Sequence, residues 1–381
     1  AILREVGGDL ALDGTINVST SAGGTFGPGI YRVFNYGGAL TDNGLALGTI
    51  PGGVAGVSVQ TSIAGQVNLV NAQGLALSFW DGAAGPKNDN VLNGGDGVWR
   101  IADGSGNWTD ANGTINADYA QDSFAIFAAA PGTVTIDNGG GNVLASGMQF
   151  ASDGYVLTGD ALTLTGAQAI VQVGDSSAAG AGYTATIDAD VTGTAMLVKT
   201  DAGTLVLSGT NSYSGGTAIN GGTLRISSDA NLGDATGGLS FGDGTLHTTA
   251  TIGSARAVDL GGDATFQTDA TLTLSGLVSG AGSLTKDGAG TLVLTAGNNY
   301  TGGTSIRAGR LELGNGGTSG AIAGDVVNDG VLAFNRSDSA TFAGLISGGG
   351  AIEQIGSGTT ILTGNNLFTG GTTISAGTLQ L

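Results

Sequence analysis

Residues 203–226 read GTLVLSGTNSYSGGTAINGGTLRI, and the chain repeats this stretch as GTLVLTAGNNYTGGTSIRAGRLEL at 290–313 and as GTTILTGNNLFTGGTTISAGTLQL at 358–381. The three copies align without a gap and are identical at ten of 24 columns. A recurring unit of this size indicates an array in which each unit completes the core of its neighbours. The identical columns include residues that we expect to have structural roles in the repeat: Gly203, Asn211, Gly215, Leu224, Gly290, Asn298, Gly302, Leu311, Gly358, Asn366, Gly370 and Leu379.

Within each copy, apolar residues alternate with polar ones, as Leu224 and Ile226 do on either side of Arg225. A period of two is typical of β-strands, and the Gly-Gly and Asn-Gly pairs between the runs supply the positive φ that tight corners need. About three short strands and three corners in roughly 20–25 residues predict one coil of a parallel β-helix. We therefore expect Leu207 and Leu294 to point inward, and Gly215 and Gly302 to have positive φ.

The composition agrees with a glycine-cornered solenoid. Glycine accounts for 75 of 381 residues, proline for only four, and 40% of the residues are hydrophobic, which is too many for a disordered chain. The net charge is −19, and the three lysines, Lys87, Lys199 and Lys286, are far apart, so nucleic acid is not an expected partner. The absence of cysteine excludes disulfides and thiol chemistry. No cofactor is expected.

The alternation divides the chain into three parts. Residues 1–80 are expected to form N-terminal β-helix coils. Residues 81–122 have few apolar side chains, two of the three tryptophans, and runs of Asp, Asn and Gly, which predict a loop-rich excursion with about two short strands. Residues 123–381 are expected to form further coils, with three passenger-type repeats at 191–226, 278–313 and 346–381. The chain starts without Met and stops at the end of a repeat without a polar cap, so we expect a piece of a longer protein.

This unit resembles the passenger-associated transport repeat of the autotransporter (type V secretion) family. The strings NGGDGVWRIADGSGNWTDANGT at 93–114 and GTVTIDNGGGNVLASGMQFASDGYVLTG at 132–159 are also similar to passengers of that family, so the resemblance covers residues 81–381. It implies a right-handed single-stranded parallel β-helix, exported through the outer membrane of a Gram-negative bacterium and displayed on the cell surface. It also implies a covalently attached C-terminal translocator barrel, absent from this sequence, and a repeat without catalytic residues.

An enzymatic alternative is a polysaccharide lyase or glycoside hydrolase, since parallel β-helices often carry these activities. Such a site needs acidic residues stacked on adjacent coils. Asp188 and Asp190 share a predicted strand face, and Asp259 and Asp263 flank a corner, but the sequence shows no recognisable cluster. A serine triad would need His247, the only histidine, which we interpret as a surface strand residue. We expect no catalytic residue and no metal ligand.

Two interpretations remain open for the aromatic residues of the excursion. Trp99, Trp108 and Tyr119 could form a binding patch for carbohydrate or protein, or they could pack the excursion as a miniature core. The functional expectation is a rigid stalk that presents an adhesive or cell-contact surface. Its expected partners are a host matrix or cell-surface protein, a carbohydrate, or a second copy of the chain.

Overall fold

Short β-strands dominate the protein, which is represented here by a computed structural model describing residues 3–20, 26–53 and 55–381. These residues contain no α-helix, and none of their helical segments is long and apolar enough to cross a membrane. The only helical segments in these ranges are 3₁₀ turns at Pro51–Gly53, Asn138–Gly140, Ala179–Gly182 and Asp229–Leu232. The all-β class predicted from the alternation is confirmed.

The chain divides into two compact units, Ala1–Leu205 and Val206–Leu381. Strands β1 to β22, the last of which spans the division, are Arg4–Val6, Leu10–Leu12, Thr15–Ile16, Gly29–Tyr36, Leu40–Asp42, Ala46–Leu47, Val57–Gln60, Gln66–Asn71, Leu77–Trp80, Gly97–Trp99, Trp108–Thr109, Phe124–Phe127, Thr133–Ile136, Val143–Ala145, Gly147–Phe150, Val156–Gly159, Leu162–Leu164, Gln168–Val173, Thr184–Ile187, Val191–Gly193, Met196–Thr200 and Thr204–Leu207. Strands β23 to β43 are Thr217–Ile219, Thr223–Ile226, Leu239–Phe241, Gly244–Thr248, Ile252–Ser254, Val258–Leu260, Ala264–Thr268, Thr271–Leu274, Val278–Ser279, Leu284–Asp287, Thr291–Leu294, Thr304–Ile306, Arg310–Leu313, Val326–Asn328, Val331–Phe334, Ser339–Phe342, Ile346–Ser347, Ala351–Gln354, Thr359–Leu362, Thr372–Ile374 and Thr378–Gln380.

The first unit winds as a parallel solenoid from β12 onward. Its strands line three parallel sheets, with neighbours in the orders β10-β13-β16-β19, β9-β12-β15-β18-β21 and β14-β17-β20. Each strand pairs in register with the equivalent strand of the next coil, as Met148 of β15 does with Val171 of β18. Inward side chains stack along the same registers: the rings of Phe127 and Phe150 lie 5.1 Å apart and nearly parallel. The result is a continuous apolar core shared between coils.

Pairing near the N-terminus differs from the simple coils expected for residues 1–80. Strand β4 runs antiparallel to β8, and β7 also runs antiparallel to β8, while β1 is parallel to β4. This antiparallel sheet packs onto the parallel strands through Ile30, Val70 and Phe79. Strand β4, of eight residues, is longer than any described strand of the solenoid that follows, and it pairs directly with the six-residue β8. The division of the chain into three domains stays a prediction.

The second unit repeats a more regular coil. The sheets have the orders β24-β26-β29-β32-β34-β36-β39, β27-β30-β33-β35-β37-β40-β42, β23-β25-β28-β31 and β38-β41-β43. One inward column is entirely aliphatic and almost fully buried, and its members are Leu272, Leu292, Leu311, Leu332 and Ile352. Burying each such side chain contributes about 1.5–3 kcal/mol relative to leaving it exposed. The inward positions expected for Leu207 and Leu294 are confirmed, since both are buried.

The left-handed corner residue of the repeat lies one position later than predicted. Positive φ occurs at Gly216 and Gly303, both at +84°, rather than at Gly215 and Gly302. Gly302 is required for a different reason, because a Cβ there would collide with the backbone of Gly282 in the preceding coil. The Gly-Gly pair therefore combines one close approach with one left-handed turn.

Candidate functional site

The predicted aromatic patch of the excursion lies inside the protein. The side chains of Trp99, Trp108 and Tyr119 are 0%, 2% and 4% exposed. Their rings contact one another at centroid distances of 4.7–5.0 Å, with tilted or edge-on geometry, and Phe127 joins the cluster from β12. This burial favours the miniature-core interpretation. A binding role for these three rings would require the excursion to open, and it stays a prediction.

The base of the excursion is held by one buried carboxylate. Asp81 accepts hydrogen bonds from the backbone N–H of Asn93 at 2.8 Å and from the side-chain amide of Asn116 at 2.8 Å, and Lys87 lies 3.5 Å away. These contacts tie the residues before and after the tryptophan-containing loops to the end of β9. The outer surface of the excursion instead presents apolar side chains, with Val98 40% and Ile115 68% exposed.

The residues considered for catalysis do not converge. His247 lies on β26 and its Nε2 is 3.0 Å from an Oδ2 atom of Asp269, an ordinary surface pair on adjacent coils. Asp188, Asp190, Asp259 and Asp263 are all exposed. Across the part of the chain that the structure describes, no three His, Cys, Asp or Glu side chains are grouped so that they could hold a metal ion.

The recurrent residues of the repeat occupy equivalent places. A Cβ at Gly290 would collide with the carbonyl of Ala270, one at Gly358 with that of Asp338, and one at Gly203 would lie 2.7 Å from the carbonyl oxygen of Val173. The amides of Asn298 and Asn366 accept from the N–H of the residue 20 positions earlier, Val278 and Ile346, and Asn211 donates to the carbonyl of Asn231. Leu224 and Leu311 are fully buried, whereas Gly370 and Leu379 are partly exposed.

A further recurrent position was not singled out from the sequence. Lys199, Lys286 and Gln354 each lie four residues before the first glycine of a repeat, and all three are at most 1% exposed. Burial lowers the pKa of Lys199 to about 7 and that of Lys286 to about 8. The nearby carboxylates of Asp201 and Asp287 raise these pKa values but do not outweigh the burial. The available signal was the sequence match upstream of each copy, which places two of the three lysines in one column.

Comparison with known proteins supplies the family. The passenger-associated-transport-repeat family matches residues 197–226, 284–313 and 352–381, which lie inside the three repeats. The whole chain aligns over 407 residues, at 55% identity, with the adhesin BmaC autotransporter of Brucella suis biovar 1 (strain 1330). The chain belongs to the autotransporter passenger domains. No solved structure matches it.

The passenger spans 11% of the length of this relative. As an autotransporter passenger, the chain is displayed on the cell surface as part of a protein anchored in the outer membrane. The repeats that match the family are also those in which the glycine, asparagine and leucine columns recur.

Proposed function

We propose that the passenger is a non-catalytic stalk segment of a surface adhesin, which presents an adhesive or cell-contact surface away from the cell. The observation that carries this proposal is the 55% identity, over the whole chain, to a protein named as an autotransporter adhesin. The stacked coils of each unit support it, because a core shared between successive coils suits a rigid support.

The exposed surface of the coils is polar and regular. On the outward face of one sheet of the second unit, hydroxyl side chains follow one another in register on five successive strands, half-buried except for the buried Thr285, and these are Thr223, Thr245, Thr265, Thr285 and Ser305. The loops of the excursion add exposed apolar side chains at Val98 and Ile115. Exposed apolar groups beside polar loops are the surface type that contacts other proteins or carbohydrates. The proposed partner is therefore a host matrix or cell-surface protein or carbohydrate, or a second copy of the passenger.

The non-catalytic part of the proposal rests on how the polar groups are used. Asp81 and Asp175 are buried, but each is engaged in hydrogen bonds or an ion pair that holds structure together. The single histidine is paired with one surface aspartate. A polysaccharide-cleaving site would need several carboxylates directed into one groove.

A bead-retention assay tests the adhesive role. The purified passenger is passed over beads coated with extracellular matrix proteins, with host-cell glycans, or with the passenger itself. Retention on at least one coating is expected. Ile115→Asp should reduce that retention several-fold, whereas Val327→Asp, which charges an equally available side chain (49% exposed) on β36, should leave it unchanged. Equal retention of both variants would contradict binding through the excursion, and no retention on any coating would leave only a spacer role.

A further inference from the structure

The corner after the buried Lys286 is lined by carbonyl oxygens. Its Nζ donates to the carbonyls of Asp287 at 2.6 Å, Gly288 at 2.7 Å and Ala308 at 3.1 Å. The first two belong to the corner that follows β32, and the third belongs to the corner one coil further on. One ammonium thus uses all three of its protons to join two stacked corners.

The same arrangement recurs in the other repeats. Lys199 donates to the carbonyls of Thr200 and Asp201 at 2.8 and 2.9 Å. The amide of Gln354 donates to Gly356 at 2.8 Å. The carbonyls of Asp201, Gly288 and Gly356 are equivalent in the alignment of the repeats, so one corner carbonyl meets a buried nitrogen in all three.

The backbone conformation of these corners allows the buried nitrogen to approach the main chain closely. Asp201 and Gly288 have φ of +62° and +76°. This conformation is unusual for an aspartate, and Asp201 adopts it at the point where its carbonyl accepts from Lys199. On the facing corner, a Cβ at Gly309 would lie 2.8 Å from Nζ of Lys286, and Gly309 has φ of +65°. Gly222 and Gly377, its equivalents, have φ of +60° and +65°. Glycine in this column leaves room for the nitrogen and its carbonyls.

The third repeat fills the corner incompletely. The Nε2 of Gln354 donates to the carbonyls of Gly356 at 2.8 Å and Gly358 at 3.4 Å, but its Oε1 is buried and has no hydrogen-bond partner. An amide has two protons where an ammonium has three, and it carries no charge to offset the carbonyl dipoles. A buried polar atom without a partner costs about 1–3 kcal/mol.

We propose that each passenger repeat contains a corner site for a monovalent cation, which the lysine ammonium fills in the first and second repeats and which Gln354 fills only in part in the third. The site selects a small monovalent cation, because the ligands are neutral carbonyl oxygens and no carboxylate is among the groups that accept from Lys286. Ammonium and K⁺ fit the 2.6–3.1 Å separations around Nζ. The site joins successive corners and is independent of any adhesive contact.

Chemical rescue tests the site directly. Lys286→Ala empties the corner, and the thermal unfolding of the whole chain is followed at pH 7 in equal concentrations of ammonium, potassium or choline chloride. We expect the variant to melt at lower temperature in choline and to regain several degrees in ammonium or potassium. Lys286→Met, which fills the corner with an apolar chain, should be destabilised without this rescue. The same melting temperature for Lys286→Ala in all three salts would overturn the proposal.

A second variant keeps the proposal testable if Lys286→Ala fails to fold. Gln354→Lys places an ammonium in the third corner, whereas Ile352→Lys places one at an equally buried position on the same strand, β40. The melting temperature of Gln354→Lys should stay within about 3 °C of the wild type, whereas Ile352→Lys should unfold its coil. Equal losses in the two variants would show that the corner has no preference for a cation.

Discussion

Single buried side chains decide whether a coil of the passenger closes. Leu294 on β33 is fully buried and pairs in register with Leu274 and Leu313 of the adjacent coils. Because both register neighbours are leucines, neither could form an ion pair or hydrogen bond with a charged side chain at this position. The sequence predicted this position correctly, because strict alternation leaves only one face of a strand for the core.

Replacing Leu294 by Asp should unfold the coil locally. A carboxylate at this position loses its water and gains no partner, which costs several kcal/mol. We expect new protease cleavage sites between residues 270 and 315, measured by limited proteolysis and mass spectrometry. Thr291→Asp is the matched control, since Thr291 lies on the outer face of the same strand. Cleavage that is unchanged in Leu294→Asp would contradict its inward position.

The buried lysine also predicts how stability depends on pH. Burial lowers the pKa of Lys286 to about 8 in the folded protein, from the ordinary lysine value of 10.5 that applies to the unfolded chain. Between these values the unfolded chain holds a proton that the folded chain has released, so the free energy of unfolding rises with pH from about 8 to 10.5. Below pH 8 the folded protein bears the remaining cost of burying the charge, which the three corner carbonyls offset only in part.

This pH dependence is measured by urea unfolding of the wild type and of Lys286→Met at a series of pH values. Subtracting the variant removes the contributions of the tyrosines and of Lys199. The difference in unfolding free energy between the two proteins should move in favour of the wild type as pH rises through the window. A difference that is flat with pH would show that Lys286 does not titrate there.

At the scale of strands and sheets, the alternation of apolar residues predicted the parallel coils but not the N-terminal sheet. Antiparallel pairing of β4 with β8 joins residues 31 to 42 positions apart, and no local sequence pattern indicates such a partner. The packing of the excursion was not decided by the sequence, because Trp99 and Trp108 fit a miniature core, which was the preferred interpretation, but also a binding patch. The burial of these rings and their contacts with Phe127 favour the core.

The N-terminal sheet is fastened to the coils of its unit by a glutamine that imitates a peptide group. Gln149 of β15 accepts from the N–H of Ile30 at 2.6 Å and donates to the carbonyls of Ile30 and Gly174 at 2.9 Å. Its neighbour Gln172 donates to the carbonyl of Pro28 at 2.7 Å. The ion pair of Arg32 with the buried Asp175, at 2.9 Å, extends the same seam.

Gln149→Leu should therefore loosen β4 while the coils remain folded. The substitution keeps the volume but leaves the N–H and C=O of Ile30 buried without partners. Hydrogen exchange measured by mass spectrometry should become at least tenfold faster in residues 29–36 and stay unchanged in β18. Gln168→Leu, at an exposed position of β18, should have no effect on either segment. Equal protection of residues 29–36 in the wild type and Gln149→Leu would exclude this fastening role.

At the scale of the whole molecule, the central feature is the stacking of coils in register, with paired strands of the second unit separated by 19 to 22 residues. This separation is 20 residues over several steps, as in the pairs Thr245 with Thr265 and Thr265 with Thr285. The repeat predicted an array, and two of its glycine columns help to keep the coils in register, since a Cβ at Gly290 or Gly302 would collide with the backbone of the preceding coil. The adhesive partner, in contrast, leaves no signature in a repeat that serves only to build the support.

The pairing register of the coils is the most direct test of the stacked solenoid, and the sequence has no native cysteine to interfere with introduced pairs. Paired strands bring equivalent Cα atoms to about 4.8 Å, within the range of a disulfide, whereas positions two coils apart are separated by about twice that distance. Cysteines introduced together at Thr265 and Thr285 should crosslink under mild oxidation, and cysteines at Thr245 and Thr285 should not. Efficient crosslinking of the second pair, or none of the first, would contradict the stacked solenoid.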